Sequence, residues 1–251
     1  MYNFLILISI IIITVVSSIK FKNTETFNNK EKQIHAFVIN LDRNIERYNA
    51  FMKVYNMHMS TTPINRFVAV DGSKLSYDDI QKISTPEILN GIETIDKTHQ
   101  RVSNEYLTRG MIGCYQSHIG LYQYALQKDY DVIMVFEDDA DFNIDLMQFI
   151  HDIGELPLDW DMLLLGDVGI FKQQPYTDAW KRVYEFWGLQ GYIINKKGMQ
   201  KIIENAYPIK KQIDHIMSDL AQNNVLKIYS YKICLVNQAA PYSDVQMQVT
   251  Q

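Results

Sequence analysis

An almost pure apolar run, Phe4 to Val16 (FLILISIIIITVV), stands near the start of the chain. It shows no polar face at a spacing of 3.6 residues, so it does not read as a surface helix of a globular domain. Extended to Ile19 it reaches about 16 residues, slightly short of the ~20 that cross a bilayer comfortably. Residues 1–19 are therefore expected to form a hydrophobic helix. As a signal anchor it gives a single-pass membrane protein. As the core of a cleaved signal peptide, with Val16 and Ser18 at the −3 and −1 positions, it gives a secreted or lumenal one. A buried strand or helix is the third reading. Lys20 and Lys22 favour a cytosolic carboxy side, and Glu25 offsets them. Residues 20–33 (KFKNTETFNNKEKQ) are polar and aperiodic, a flexible tether. A globular domain is expected over 34–251.

Within that domain short apolar runs alternate with amphipathic stretches. Ile34 to Leu41 reads as a buried strand. Asp42 is placed to cap a helix from Arg43 to Asn56, with Ile45, Tyr48, Met52 and Tyr55 on one face. Arg66 to Val70 is a second strand, stopped by the turn pair Asp71-Gly72. Residues 84–106 carry Pro86 and Gly91 and show no clean period, which predicts a long loop. Thr108 to Lys128 is helical, with a stripe of Ile112, Tyr115, Ile119, Tyr122 and Leu126. Asp131 to Phe136 is a central strand that runs into Glu137-Asp138-Asp139. Met162 to Leu165 is a strand ending at Gly166-Asp167. Further strands fall near Val183–Phe186, Tyr192–Asn195 and Val225–Leu235, and helices over Lys197–Asn205 and Gln212–Asn223. This alternation predicts an α/β fold with a mostly parallel sheet flanked by helices.

Composition narrows the function classes. With 47% apolar and 21% charged residues the chain is an ordinary globular protein. A net charge of −5 gives no general field for a polyanion, so no nucleic-acid partner is expected. Two cysteines, Cys114 and Cys234, exclude a disulfide-stapled scaffold, and no CxxC suggests zinc. The P-loop, the dinucleotide GxGxxG and HExxH are all missing.

The acidic run Glu137-Asp138-Asp139, with Asp141 close behind, is the sharpest chemical feature. Carboxylates clustered at the end of an apolar strand repel one another and lose hydration. A divalent cation, Mn²⁺ or Mg²⁺, resolves that conflict and can hold a diphosphate. Ligands of open α/β sheets also sit at the carboxyl ends of strands. The plain alternative is a solvated acidic turn capping the next helix. Asp214-His215 opens the last helix, and such a pair can act as general base, metal ligand or both. Its plain alternative is a helix-start Asp beside a surface His. Ser117 lacks a nucleophile elbow, and Cys114 reads as a buried thiol.

Several segments read together resemble glycosyltransferase family 25, the lipopolysaccharide-biosynthesis and procollagen galactosyltransferase-like enzymes. Val38-Ile39-Asn40-Leu41-Asp42-Arg43 with Arg47 is similar to the family's opening, and Phe67 to Gly72 to its F-x-A-V-D-G segment. Leu107-Thr108, Gly110, Gly113-Cys114 and Ser117-His118 resemble a third block. Glu137-Asp138-Asp139 matches the family's EDD; Gly191-Tyr192-Ile193-Ile194 with Gly198, and Ile213-Asp214-His215, resemble the late segments. Three departures stand out: Met111 for a family Glu, Asn195 for a Ser, and Gln212 for a Pro.

The resemblance implies a GT-A-like (Rossmann-like) domain, a nucleotide-sugar donor such as UDP-galactose, Mn²⁺ or Mg²⁺, and hexose transfer with inversion to a glycan or protein hydroxyl. On these residues Asp139 would hold the metal, with His215 as an alternative ligand. Asn40, Leu41, Asp42, Arg43, Glu137 and Asp138 would bind the nucleotide sugar, and Asp214 would be the catalytic base. Two rival readings share the features. Met111 motivates a catalytically inactive binding or adhesion module, and the acidic cluster also suits a metal-dependent phosphatase or nucleotidyl transferase.

Overall fold

Side-chain alternation along the central strands sorts their residues onto two faces, and each face is buried. The computed structural model describes residues 34–59, 62–142 and 159–239. The expected hydrophobic helix and tether, residues 1–33, lie outside them. Among the described residues no helix is long and apolar enough to cross a membrane.

The chain runs β1 (Ile34–Asn40), α1 (Ile45–His58), β2 (Ile64–Val68), a 3₁₀ turn (Gly72–Lys74), α2 (Tyr77–Ile83), α3 (Pro86–Thr98) and α4 (Arg109–Gln127). It continues through β3 (Val132–Glu137), β4 (Ala140–Phe142), β5 (Met162–Gly166), β6 (Gly169–Pro175), β7 (Trp180–Trp187) and β8 (Gly191–Asn195). It closes with α5 (Lys196–Glu204), α6 (Ile213–Gln222), β9 (Ile228–Tyr231) and β10 (Val236–Gln238). The main sheet has eight strands in the order β2-β1-β3-β8-β5-β9-β7-β6, and β4 pairs with β10 in a separate ribbon. Phe37, Ile39, Ile133 and Val135 face a core built with α2 to α6. Ala36, Val38, Met134 and Phe136 face Phe51 and Tyr55 of α1 and the β4–β10 ribbon.

The α/β class expected from the sequence holds, and the mostly parallel sheet does not. β1 is parallel to β2 and β3, and β5 to β9. β8 enters antiparallel between β3 and β5, and β7 and β6 add antiparallel edges. The sheet is mixed because β5 to β8 are joined by short returns, with no crossover helix among the described residues to turn the chain back. The expected loop over 84–106 contains α3. Pro86 takes its first position, and Ile88, Gly91, Ile92 and Ile95 make a buried i, i+3, i+4, i+7 stripe. In α1, Ile45 is exposed and Phe51 replaces it on the buried face. Asp42 does not cap this helix; Asn44 holds the cap position, with no capping hydrogen bond from its side chain. The strand expected over 225–235 is shorter, β9 over Ile228–Tyr231, and β10 follows beyond its end.

One close backbone crossing sets the floor of the cleft described below. The 3₁₀ turn lies against α4 at Gly72 and Gly113. A Cβ on Gly113 would stand 2.6 Å from the Val70 carbonyl oxygen and 2.7 Å from the Gly72 nitrogen; one on Gly72 would stand 1.8 Å from the Arg109 carbonyl oxygen. Ser117 locks the crossing: its hydroxyl accepts from the Val70 N–H (2.8 Å) and donates to the Gly113 carbonyl (2.6 Å). Gly113→Ala must push two backbone segments apart. It is expected to cost about 1–3 kcal/mol in urea unfolding, in the range of overpacked cores. A change under about 0.5 kcal/mol, the size of an ordinary surface substitution, would show that this contact has slack.

Candidate active site

β1 and β3 are parallel neighbours, so both deliver their carboxyl ends to the same edge of the sheet. There Glu137 ends β3, and Asp138 and Asp139 form the turn into β4. A cavity of about 310 Å³ opens over this edge. Of the residues expected to bind a nucleotide sugar, Asn40, Leu41, Arg43, Glu137 and Asp138 line it together with Asp139. Asp42 lies outside that lining. Its side chain is 71% exposed and pairs with Arg66 at 3.0 Å.

The carboxylates are gathered by specific partners. Arg47, one helical turn after Arg43, reaches Asp138 at 2.5 Å and Asp139 at 3.3 Å. Asn40 is buried, and its amide donates to Asp138 Oδ2 (2.6 Å) and to the Asn44 carbonyl (3.0 Å). Its Oδ1 accepts from Arg66 Nε at 2.8 Å. With both amide hydrogens and the carbonyl engaged, Asn40 clamps β1 to the acidic turn. From the far end of the domain, Gln238 of β10 donates to Asp139 Oδ2 (2.9 Å), and the Ala239 N–H to the Asp139 carbonyl (2.7 Å).

Asp139 is still not neutralised. Removal from water, and then Glu137 beside it, push its carboxyl up to about 6 against the pull of Gln238 and Arg47. Its Oδ1 is buried and has no hydrogen-bond partner among the described residues. Opposite it, Arg43 pairs with Asp71 at 2.5 Å. That contact and the Ser73 side chain and N–H hold the Asp71 carboxyl down at about 2.

Behind the acidic turn runs a buried ladder. Tyr122 and Tyr192 hydroxyls are 2.6 Å apart, Tyr192 is 2.7 Å from His118 Nδ1, and His118 Nε2 is 3.2 Å from Glu137 Oε1. In the neutral imidazole, an ionised Glu137 requires the proton on Nε2, and Nδ1 then accepts from Tyr192. Cys114 lies 3.9 Å from the same Glu137 oxygen. Cys114, His118 and Glu137 are the one group of three ligand-type residues within 4.8 Å of one another among the described residues. Desolvation, then Glu137, Asp214 and Asp139, raise the Cys114 thiol well above its ordinary range, so it stays protonated and is no nucleophile.

Asp214 and His215 do not line the first cavity. They line a second one of about 540 Å³ that shares Glu137 and Cys114 with it. Both Asp214 oxygens accept backbone N–H bonds, Oδ2 from Gly188 (3.0 Å) and Oδ1 from His215 (2.9 Å). The His215 ring lies 5.6 Å from that of Trp187. The two candidate metal ligands expected from the sequence, Asp139 and His215, therefore line different cavities.

Met111 has a local role. Thr108 caps α4 by accepting the Met111 N–H (3.1 Å), and the Met111 sulfur accepts the Thr108 N–H (3.4 Å). This is a capping box with sulfur where a carboxylate is usual. Arg47 and Gln238 were invisible as partners of the acidic turn, because only tertiary contact brings them there.

The model of glycosyltransferase family 25 (LPS biosynthesis protein) matches residues 33–217. The chain belongs to glycosyltransferase family 25. Human procollagen galactosyltransferase 2 is 26% identical over 187 residues, 70% of this chain and 28% of the relative. A bovine protein named probable inactive glycosyltransferase 25 family member 3 is 23% identical over 190 residues, 71% of this chain and 30% of its own. The chain thus spans about a third or less of these relatives' lengths. Among solved structures, the apo-form glycosyltransferase GlyE of Streptococcus pneumoniae aligns with a TM-score of 0.40 at 14% identity, over 79% of this chain and 45% of that one.

The raised Asp139 carboxyl predicts a pH signature. The folded state holds this proton more tightly than the unfolded chain, so stability falls as pH rises from about 4 to about 6. In EDTA at pH 7.5, Asp139→Asn is expected to raise stability by about 2 kcal/mol, and the difference should vanish near pH 4. Equal destabilisation at both pH values in thermal melts would show that Asp139 is not strained by burial.

Proposed function

We propose that this family member transfers a hexose, galactose by family analogy, from a nucleotide sugar to a hydroxyl of a glycan or protein acceptor. The observation that carries the reading is the meeting of two cavities at Glu137, one with the acidic turn and three arginines, the other with Asp214. In the first, Ile39, Leu41, Ala69 and Val70 offer apolar surface to a nucleobase, and Arg43 and Arg47 offer positive charge to a diphosphate. Asp138, fixed by Asn40 and Arg47, and Glu137, fixed by His118, suit ribose or sugar hydroxyls.

The unpartnered buried oxygen of Asp139 fits a divalent cation, and Asp138 and Glu137 are the neighbouring donors. Bound there, Mn²⁺ or Mg²⁺ would supply Lewis-acid stabilisation of the departing diphosphate. His215 faces Trp187 in the second cavity, so the metal reading rests on the acidic turn.

In the transfer step the acceptor oxygen forms a bond to the anomeric carbon as the bond to the diphosphate oxygen breaks. The acceptor proton goes to a carboxylate on the acceptor side. Asp214 is our choice, because its two backbone hydrogen bonds fix its orientation and each oxygen keeps a lone pair. We further propose that residues 1–19 anchor the enzyme to a membrane and 20–33 tether it, which suits membrane-displayed or secretory acceptors.

A panel of nucleotide sugars with Mn²⁺, read by thermal shift and by release of nucleoside diphosphate, tests the assignment. One donor should raise the melting temperature by several degrees. Asp139→Asn should abolish the metal-dependent part. Asp214→Asn should keep the donor-induced shift and lower kcat by about 10²-fold or more, the size of a lost general base. Donor binding without any transfer or hydrolysis would favour the binding module, and release of inorganic phosphate the phosphatase reading.

A further inference from the structure

The second cavity does not end at Asp214. Trp187, Gln212, His215 and Asn104 pass from its wall into a third, wider cavity of about 800 Å³. A continuous trough thus leads outward from the junction at Glu137. Where the second and third cavities meet stands Trp187, the last residue of β7. Its side of the β6–β7 hairpin is exposed and apolar: Trp187 is 46% exposed, Phe171 56% and Val168 62%. Phe171 packs under the indole at 4.6 Å between ring centroids, and His215 flanks it. The indole N–H makes no hydrogen bond within the described residues. Trp187, Phe171 and Val168 together make a contiguous exposed apolar patch, the kind of surface that marks a binding site.

The charge of the trough selects among ligands. The outer cavity carries Glu87, Glu105, Glu185 and Asp219 against Lys210 and Lys211, and Lys211 pairs with Asp219 at 2.6 Å. This balance slightly opposes a phosphorylated or nucleic-acid chain and is too polar for a lipid tail. It suits a neutral polyhydroxylated chain. A pyranose has apolar C–H faces that stack on indole, and hydroxyls that bond to carboxylates, lysines and amides at the rim.

We infer that the trough along Trp187 and His215 is the acceptor site, and that its acceptor is a neutral saccharide whose terminal sugar stacks on Trp187 with a hydroxyl directed toward Asp214. The inference rests on the transfer reading of the first cavity and names the substrate class of its acceptor side.

Fluorescence isolates the contact, because of the three tryptophans Trp160 and Trp180 are buried and Trp187 is open. Titration of the full chain with neutral hexose oligosaccharides should give a saturable blue shift that Trp187→Phe removes. In transfer assays Trp187→Ala should raise acceptor KM by about ten-fold, matching the loss of one aromatic stacking contact, with a much smaller change in kcat. Trp187→Tyr, which keeps a ring, should recover most of that loss, separating stacking from misfolding. An unchanged acceptor KM in Trp187→Ala overturns the inference. So does a saturable response to hydroxylated peptide with none to saccharide. A saccharide response from a wild-type chain that turns over no nucleotide sugar would uphold the binding surface and remove the transfer reading.

Discussion

The organisation of this molecule turns on the cost of placing three carboxylates at the end of one buried strand. Glu137, Asp138 and Asp139 are brought to the sheet edge by β3, whose preceding residues are buried. Repulsion and desolvation act against that arrangement, and the surrounding structure answers them one carboxylate at a time. Asp138 receives Arg47 and Asn40, Glu137 receives His118, and Asp139 receives only part of Arg47 and one amide from Gln238. The relief is graded, and the least relieved group has an unpartnered oxygen. Added positive charge would be most favourable at that oxygen.

How far the sequence discloses this depends on whether the signal is local. The acidic run after an apolar strand, the Asp71-Gly72 turn and the long helix from Thr108 are written in consecutive residues, and all appear where expected. Sheet direction is not. GYIIN of β8 is a short apolar run with no mark of its orientation, and periodicity is the same for parallel and antiparallel strands. α3 was hidden because Pro86 and Gly91 read as loop residues. Pro86 fills the first helical turn, where no N–H is needed, and Gly91 makes room for the Tyr106 ring, 2.9 Å from where a Cβ would stand.

Site residues follow the same division. Asn40 and Arg47 stand out in sequence by resemblance, yet their work is seen only in three dimensions: Asn40 is consumed in bonds to protein groups. Gln238 is nearly a hundred residues beyond Asp139, on a three-residue strand that no period could reveal. Asp214 and His215, adjacent in sequence, line the second cavity with Glu137, while Asp139 lines the first. Proximity along the chain says nothing of which of two cavities a side chain enters.

The departures from the family pattern bear on whether activity survives, and each falls at the start of a helix. Met111 is the third residue of α4 and completes its capping box through sulfur. Asn195 caps α5, its Oδ1 accepting the Gly198 N–H at 2.9 Å, a task that serine and asparagine perform alike. Gln212 precedes α6 with φ of −59°, the angle proline would impose, so the backbone keeps its path without the ring. None of the three removes a carboxylate or an arginine from the first cavity. The largest chemical change, carboxylate to thioether at Met111, weakens one cap bond and leaves Arg43, Arg47, Glu137, Asp138 and Asp139 in place. Met111 is thus accounted for at the helix end, and because it also lines the second cavity beside Glu137 and Asp214, the missing carboxylate is a change to that cavity and not to the first.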